Sequence, residues 1–332
     1  MPNLRLTLAM SEYAHTRDLI TGRVRPEGID LINITQQFEA IGLRFGLTQE
    51  FDIAEFSLAN FCALAAQDRP SPMVGLPVFP SRVFRHSAIF IHERSNIRTA
   101  ADLAGRRVGL PQWSQTATVY VRGFLGHDAG VPLTSIDWVQ AGLNETGRKE
   151  SIKLRLPDGI RLTSKPDKTL SDMLATGEID AAITARPPDC FLRGAPGVRR
   201  LFPDFRKEEE AYFKRTGIFP IMHVVVIRRE IYEAHRWIVR SLYDAFVAAK
   251  NATIALMRNY QSSFLPTAWG PEHFDSVNGT LFPANDPWPY GIEPNRPTLD
   301  PFLSWLYEQG IAARPIDLEE LFPREIRFEV KV

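Results

Sequence analysis

A strand, a tight turn and a helix recur along this chain, and that recurrence restricts it to a layered α/β fold. Leu4, Leu6 and Leu8 alternate with Arg5 and Thr7, the period of a half-buried strand, and residues 11–20 read as a helix capped by Ser11 and stopping at Gly22. Residues 29–34 read as a second strand, with a helical stretch after it through Phe38, Ile41, Phe45 and Leu47. The design returns in a strand over 107–110, a turn at Pro111-Gln112-Trp113-Ser114, a helix over 117–125 and a strand over 136–139. In addition, Thr48-Gln49-Glu50-Phe51-Asp52-Ile53-Ala54 lines up with Thr176-Gly177-Glu178-Ile179-Asp180-Ala181-Ala182, each a helix end turning into an apolar strand. Two lobes of one design account for the echo, and 332 residues are enough for two cores.

Residues 79–91 and 218–227 read as strands that cross between the lobes and form a hinge. The boundaries that follow are 1–92 with 222–332 for lobe 1 and 93–221 for lobe 2. Residues 229–257 contain no Gly or Pro and read as one long helix, and 302–307 as another. The stretch 266–301, rich in Pro, Gly and Asn, reads as an irregular excursion, and the polar segment 143–168 as an insertion in the second lobe.

Charge and composition exclude several functions. Thirty-nine basic and 39 acidic residues cancel, which removes the usual driving force for nucleic-acid binding. No apolar run approaches the length of a membrane span and the N-terminus has no leader pattern, so a cytoplasmic chain without membrane contact is expected. Cys62 and Cys190 lack metal-ligand spacing and read as buried thiols, and no metal is expected. Dinucleotide, phosphate-loop, Gly-x-Ser-x-Gly and His-Glu-x-x-His motifs are all absent.

What remains is a cleft faced by helix N-termini, which attract carboxylates. Gln112-Trp113-Ser114-Gln115-Thr116 fits such a site, and also fits a plain N-cap at Ser114. Arg82, Arg85 and His86 crowd the mouth of a crossing strand, as carboxylate clamps and an acid or base, or as solvated cations beside a hydrogen-bonded histidine. Extended spacing sends Arg82 and His86 to one face. His223 is a lone polar group in an apolar strand, a pattern shared with core histidines. Glu55 is a strand-borne carboxylate that needs a partner, and Arg186 follows the apolar strand 181–185 at the edge where open α/β sheets bind ligands.

Phe79-Pro80-Ser81-Arg82-Val83-Phe84-Arg85-His86-Ser87 and Arg215-Thr216-Gly217-Ile218-Phe219-Pro220-Ile221-Met222-His223 resemble stretches of the 4,5-dihydroxyphthalate decarboxylases, as do residues 23–31 and 51–58. The resemblance spans nearly the whole chain. It implies a two-lobed, type II periplasmic-binding-protein-like fold with hinge strands and a central cleft. It further implies loss of CO2 from a hydroxylated aromatic dicarboxylate by protonation of the ring carbon, a route that needs no electron-sink cofactor. Arg82, Arg85 and Arg186, with Gln112, Ser114, Thr116 and Phe219, are the substrate-contacting residues this implies. His86 or His223 is the proton donor, the two facing one another across the cleft, and Glu55 the acceptor of a phenolic proton. A small aromatic carboxylate is the expected partner, and a homo-oligomer is compatible with the reading. The competing class is a non-catalytic solute-binding protein for a small aromatic or heteroaromatic acid.

Overall fold

The computed structural model describes residues 2–262, 264–282 and 286–326. Among the described residues eleven strands form two sheets: β1 (Leu4–Met10), β2 (Ile29–Thr35), β3 (Ile53–Ser57), β4 (Met73–Arg82) and β11 (Ile221–Arg228) in the first. The second holds β5 (Ile89–His92), β6 (Arg107–Leu110), β7 (Asp137–Gly142), β8 (Arg161–Thr169), β9 (Ala181–Ile183) and β10 (Val198–Arg200). Their orders are β2-β1-β3-β11-β4 and β8-β7-β6-β9-β5-β10. Three neighbouring parallel strands in the first sheet and four in the second are followed by an antiparallel strand that has crossed from the other lobe. The repeated design expected from sequence is thus present in the topology. Its seven-residue echo is present locally as well, since Gln49 (φ 50°) and Gly177 (φ 75°) both end helices in the left-handed region before the next strand.

Helices α1 (Arg17–Ile20), α2 (Phe38–Thr48) and α3 (Leu58–Ala65) belong to the first lobe, and α4 (Thr116–Gly123), α5 (Leu170–Thr176) and α6 (Asp189–Leu192) to the second. Next come α7 (Phe205–Thr216), α8 (Arg229–Ala234), α9 (Ile238–Met257), α10 (Gly270–Leu281), α11 (Arg296–Glu308) and α12 (Leu318–Leu321). Period-two alternation divides β11 between two cores. Val225 and Ile227 join Leu6, Leu8 and Ile53 beneath Leu242, Phe246 and Ala249 of α9. Val224 and Val226 join a core that runs on through the hinge to Val108, Ala181 and Ile183. Among the described residues no helix is long and apolar enough to cross a membrane.

Several expectations need correction. Ser11 caps no helix: a 3-10 turn at Ala14–Thr16 comes first, and α1 begins only at Arg17. The 229–257 helix is broken at His235 (φ −140°, ψ 56°). The 266–301 excursion contains α10 and the start of α11, because proline in the first turn sets the helical φ without removing a needed donor. The 143–168 insertion ends in β8, an edge strand whose exposed polar side chains hide its period. β5 joins the second sheet, so the first crossing lies between Arg82 and Ile89, ahead of residue 92.

Candidate functional site

Glu55 and His223 share one face of the first sheet. In the antiparallel β3–β11 pair His223 lies opposite Ser57 and Val225 opposite Glu55, so the two side chains are diagonal neighbours. The register of β11 against β4 slips on both sides of His223, where Pro77 and Pro80 bring no N–H to the ladder. His223 Nδ1 lies 2.5 Å from Glu55 Oε1. Tyr13 donates its hydroxyl to the same oxygen at 2.5 Å, and the Ser11 N–H donates to Oε2 at 2.7 Å. Phe38 of α2 stacks on the imidazole, ring centroids 3.6 Å apart and planes 11° apart.

Glu55 is 0% exposed, whereas the His223 side chain keeps 18% of its surface. Burial, the largest influence on Glu55, opposes its ionisation. His223, Tyr13 and Ser11 together outweigh it and hold the carboxyl below its ordinary value. Tyr13 is pushed up, by burial first and then by Glu55, and so stays a donor. With Nδ1 committed to Glu55, Nε2 is the ring nitrogen left for a ligand. Glu55 itself is enclosed and reaches a ligand only through His223, which argues against its accepting a phenolic proton directly.

The second lobe meets this cluster at Ser57. Its hydroxyl lies 3.0 Å from that of Thr116, which also accepts the Ala59 N–H at 3.1 Å, so the starts of α3 and α4 touch. One turn earlier, a carboxylate already occupies the α4 entrance. Glu150 accepts from the Trp113 N–H, the Ser114 N–H at 3.3 Å and the Ser114 hydroxyl at 2.6 Å. Gln112 holds the same strap, donating to the Lys149 carbonyl at 2.5 Å and accepting from Arg148 at 2.7 Å. Behind the turn, buried Arg122 donates to the Trp113 carbonyl at 2.6 Å.

The three arginines separate. Arg85 donates to Met222 Sδ at 3.2 Å and to the Ala185 carbonyl at 3.1 Å, and among the described residues it has no carboxylate in salt-bridge range. Burial lowers its pKa to about 10, which leaves it charged at neutrality. Arg186 pairs at 2.5 Å with Glu39 of α2, a rim contact across the cleft. Arg82 is 5% exposed and committed to the Phe219 and Pro289 carbonyls and to Asn295, between the Phe79 and Phe219 rings. It braces the segment 289–295 ahead of α11, and Phe219 stacks on Phe84 in the hinge.

His86 does not face His223. After β4 ends at Arg82 the chain bends into a 3-10 turn at His86–Ala88, which ends the extended spacing that would align Arg82 with His86. The His86 ring is caged by Phe124, Phe202 and Tyr212, with neither nitrogen partnered, and burial lowers its pKa to about 4. Among the described residues no three His, Cys, Asp or Glu side chains cluster as metal ligands. Sequence reasoning missed Tyr13, Phe38, Ser57 and Glu150. The first was findable, since it follows β1 at the carboxyl edge of the sheet.

No protein-family model matches the chain. A 4,5-dihydroxyphthalate decarboxylase of Comamonas testosteroni is 36% identical over 323 residues, 97% of each chain. Another protein of that name, from Pseudomonas putida, is 42% identical over 205 residues, covering 61% of this chain and 79% of its own. Among solved structures, the periplasmic aliphatic sulphonate binding protein SsuA of Escherichia coli aligns with TM-score 0.53 at 15% identity, over 99% of this chain and 100% of its own. The desulfurization enzyme DSZB aligns with TM-score 0.52 at 15% identity, over 98% of each. At these identities the structural likeness carries the fold alone: two lobes of type II periplasmic-binding-protein design.

Proposed function

The chain belongs to the 4,5-dihydroxyphthalate decarboxylase family, and from that premise we propose that its cleft removes CO2 from a dihydroxyphthalate by protonating the ring carbon that bears the carboxylate. The observation that supports this is the buried Glu55 bonded to Nδ1 of a His223 whose other nitrogen is free. A phenolate para to a ring carboxylate raises electron density at the carboxylate-bearing carbon. Charged His223 gives its Nε2 proton to that carbon, and the ring becomes a dienone. The bond to the carboxylate then breaks, its electron pair restores the aromatic phenolate, and CO2 leaves. Glu55 acts as a positioning residue that orients the imidazole, while Tyr13 keeps Glu55 in place.

Arg85 is the cation available to the retained carboxylate. Ser114 and its neighbouring N–H groups offer a second anion position, which an incoming carboxylate takes in place of Glu150. Arg186 closes the rim. The test is incubation of the purified chain with 4,5-dihydroxyphthalate, with CO2 release and 3,4-dihydroxybenzoate measured together. Stoichiometric appearance of both is expected; saturable binding without either product would make the chain a solute-binding protein.

A further inference from the structure

The two lobes are held together by more than their crossing segments. Phe302 of α11 stacks on Tyr120 of α4 with ring centroids 4.5 Å apart, and a Cβ at Gly123 of α4 would meet the Trp305 ring. The buried Gln309 accepts from Trp113 Nε1 at its carbonyl (2.8 Å) and from Arg122 Nε at its side chain (2.9 Å), and donates to the Val119 carbonyl at 3.3 Å. The Arg155 N–H donates to the Gly310 carbonyl at 2.8 Å. On the first-lobe side Phe322, which follows α12, packs on Phe61 of α3 and Phe79 of β4. Two N–H groups tie the lobes directly, Ala59 to the Thr116 hydroxyl and Ile221 to the Tyr120 hydroxyl, each at 3.1 Å. Phe61, Phe79, Phe302 and Leu306 are buried in one core that continues into the second lobe at Val108 and Ala181. Swinging the lobes apart pulls α11 from one side or the other, exposes that core and leaves the Gln309 amide unpaired.

The strap over Trp113 and Ser114 is fastened differently. Residues 145–151 hold no helix or strand, and all but Glu150 are exposed. Its ends are anchored, by β7 on one side and by Ile152 and Leu154 against the core on the other. Between them the fastenings are polar. Glu150 sits on the Trp113 and Ser114 N–H groups, Arg148 and the Lys149 carbonyl meet Gln112, and the Gly147 N–H donates to the Pro166 carbonyl at 2.8 Å. The Ser151 hydroxyl donates to Asn60 of α3 at 3.3 Å, and the Asn60 N–H in turn bonds Ser57, so the strap reaches the first lobe beside the Ser57–Thr116 contact. Exposed polar fastenings open locally at far lower cost than a packed core.

We propose that a ligand enters this cleft by displacement of the 145–151 strap, with Glu150 as its latch, while the two lobes stay together. The route rests on the cleft being the dicarboxylate site: release of Glu150 frees the Ser114 hydroxyl and two N–H groups for an incoming carboxylate. Glu150 also supports the charge of Arg122, buried behind the turn, and the arriving carboxylate takes over that duty.

Hydrogen exchange of the ligand-free whole chain, resolved to single amides by fragmentation in the mass spectrometer, separates strap from lobes. The Trp113 and Ser114 amides, bonded to Glu150, should show protection at least about 100-fold lower than those of Ala59, Arg155 and Ile221, which bridge the lobes. Glu150→Ala should lower protection at Trp113 and Ser114 by about a further tenfold and leave the other three unchanged. Phthalate, which lacks the hydroxyl that ring protonation needs and so persists, should associate about tenfold faster with this variant in stopped-flow tryptophan fluorescence. Exchange of Ala59 and Arg155 in step with Trp113 and Ser114 would mean that the lobes swing open, and would overturn the proposal. An association rate indifferent to Glu150→Ala would overturn it as well. None of these measurements needs turnover, so failure of 4,5-dihydroxyphthalate to release CO2 would remove the decarboxylation reading alone.

Discussion

His223 and His86 both lie where the chain passes between lobes, and both fall in the long stretches that resemble the decarboxylase family, yet their surroundings differ in kind. His223 has a carboxylate on one nitrogen, an aromatic ring on its face and an open edge. His86 has aromatic edges on three sides and no polar partner on either nitrogen. A carboxylate at Nδ1 orients the His223 ring and leaves its Nε2 for proton transfer, whereas the apolar cage favours the neutral form of His86. Two histidines in equally distinctive motifs are therefore equipped for different work, one chemical and one structural.

The strongest way to break this contrast is to exchange the two positions' importance by mutation. His223→Asn should lower the decarboxylation rate by about 10²–10⁴-fold, the usual worth of a positioned acid, while the affinity for dihydroxyphthalate measured by calorimetry changes little. His86→Asn should leave the rate per folded molecule within a few-fold. A rate loss confined to His86→Asn would reverse the assignment.

Arg82 and Arg85, three residues apart, sharpen the same contrast. Arg85 has neutral partners, the Met222 sulfur and the Ala185 carbonyl; Arg82 spends its donors on Phe219, Pro289 and Asn295. Arg85→Met should raise KM by about 10- to 100-fold through loss of a charge-assisted bond. Arg82→Met should leave KM nearly unchanged but lower unfolding stability by about 2 kcal/mol or more, since buried acceptors lose their donors. Steady-state kinetics alongside urea unfolding separates the two, and a KM effect at Arg82 with unchanged stability would return it to the substrate site.

How far the sequence could carry these distinctions depends on what each residue needs from afar. Glu55 and His223 stand out locally, a carboxylate and an imidazole each set in an apolar strand. Their pairing does not, because antiparallel register across 168 positions decides it. Arg82, Arg85 and His86 form one compact motif on paper. The bend after Arg82 sends them to separate environments, and the aromatic cage is assembled from residues 124, 202 and 212. Glu150 was hidden for another reason: its strap has no apolar period, and its role comes entirely from the N–H groups it meets. The two-lobe design was legible because strand periodicity and left-handed helix ends are local properties, recorded at both copies.

The smallest effect concerns acid. Burial foremost pulls His86 down from 6.5 to about 4, with Arg215 adding to it and Asp128 opposing. Between those two values the unfolded chain binds a proton that the folded chain refuses. The stability due to a neutral His86 is therefore complete above about pH 6.5 and is lost as pH falls toward 4. At about 1.4 kcal/mol for each pH unit of the window, the loss is at most about 3.5 kcal/mol. His15, also pulled down to about 4 by burial, acts over the same window. His86→Phe keeps an aromatic ring in the cage and removes one of the two contributions. Urea unfolding between pH 7 and pH 4.5 should then show a stability loss smaller than wild type by up to about 2.5 kcal/mol. Identical losses in variant and wild type would mean that His86 finds a partner for its proton in the folded chain, and the apolar cage would no longer distinguish it from His223.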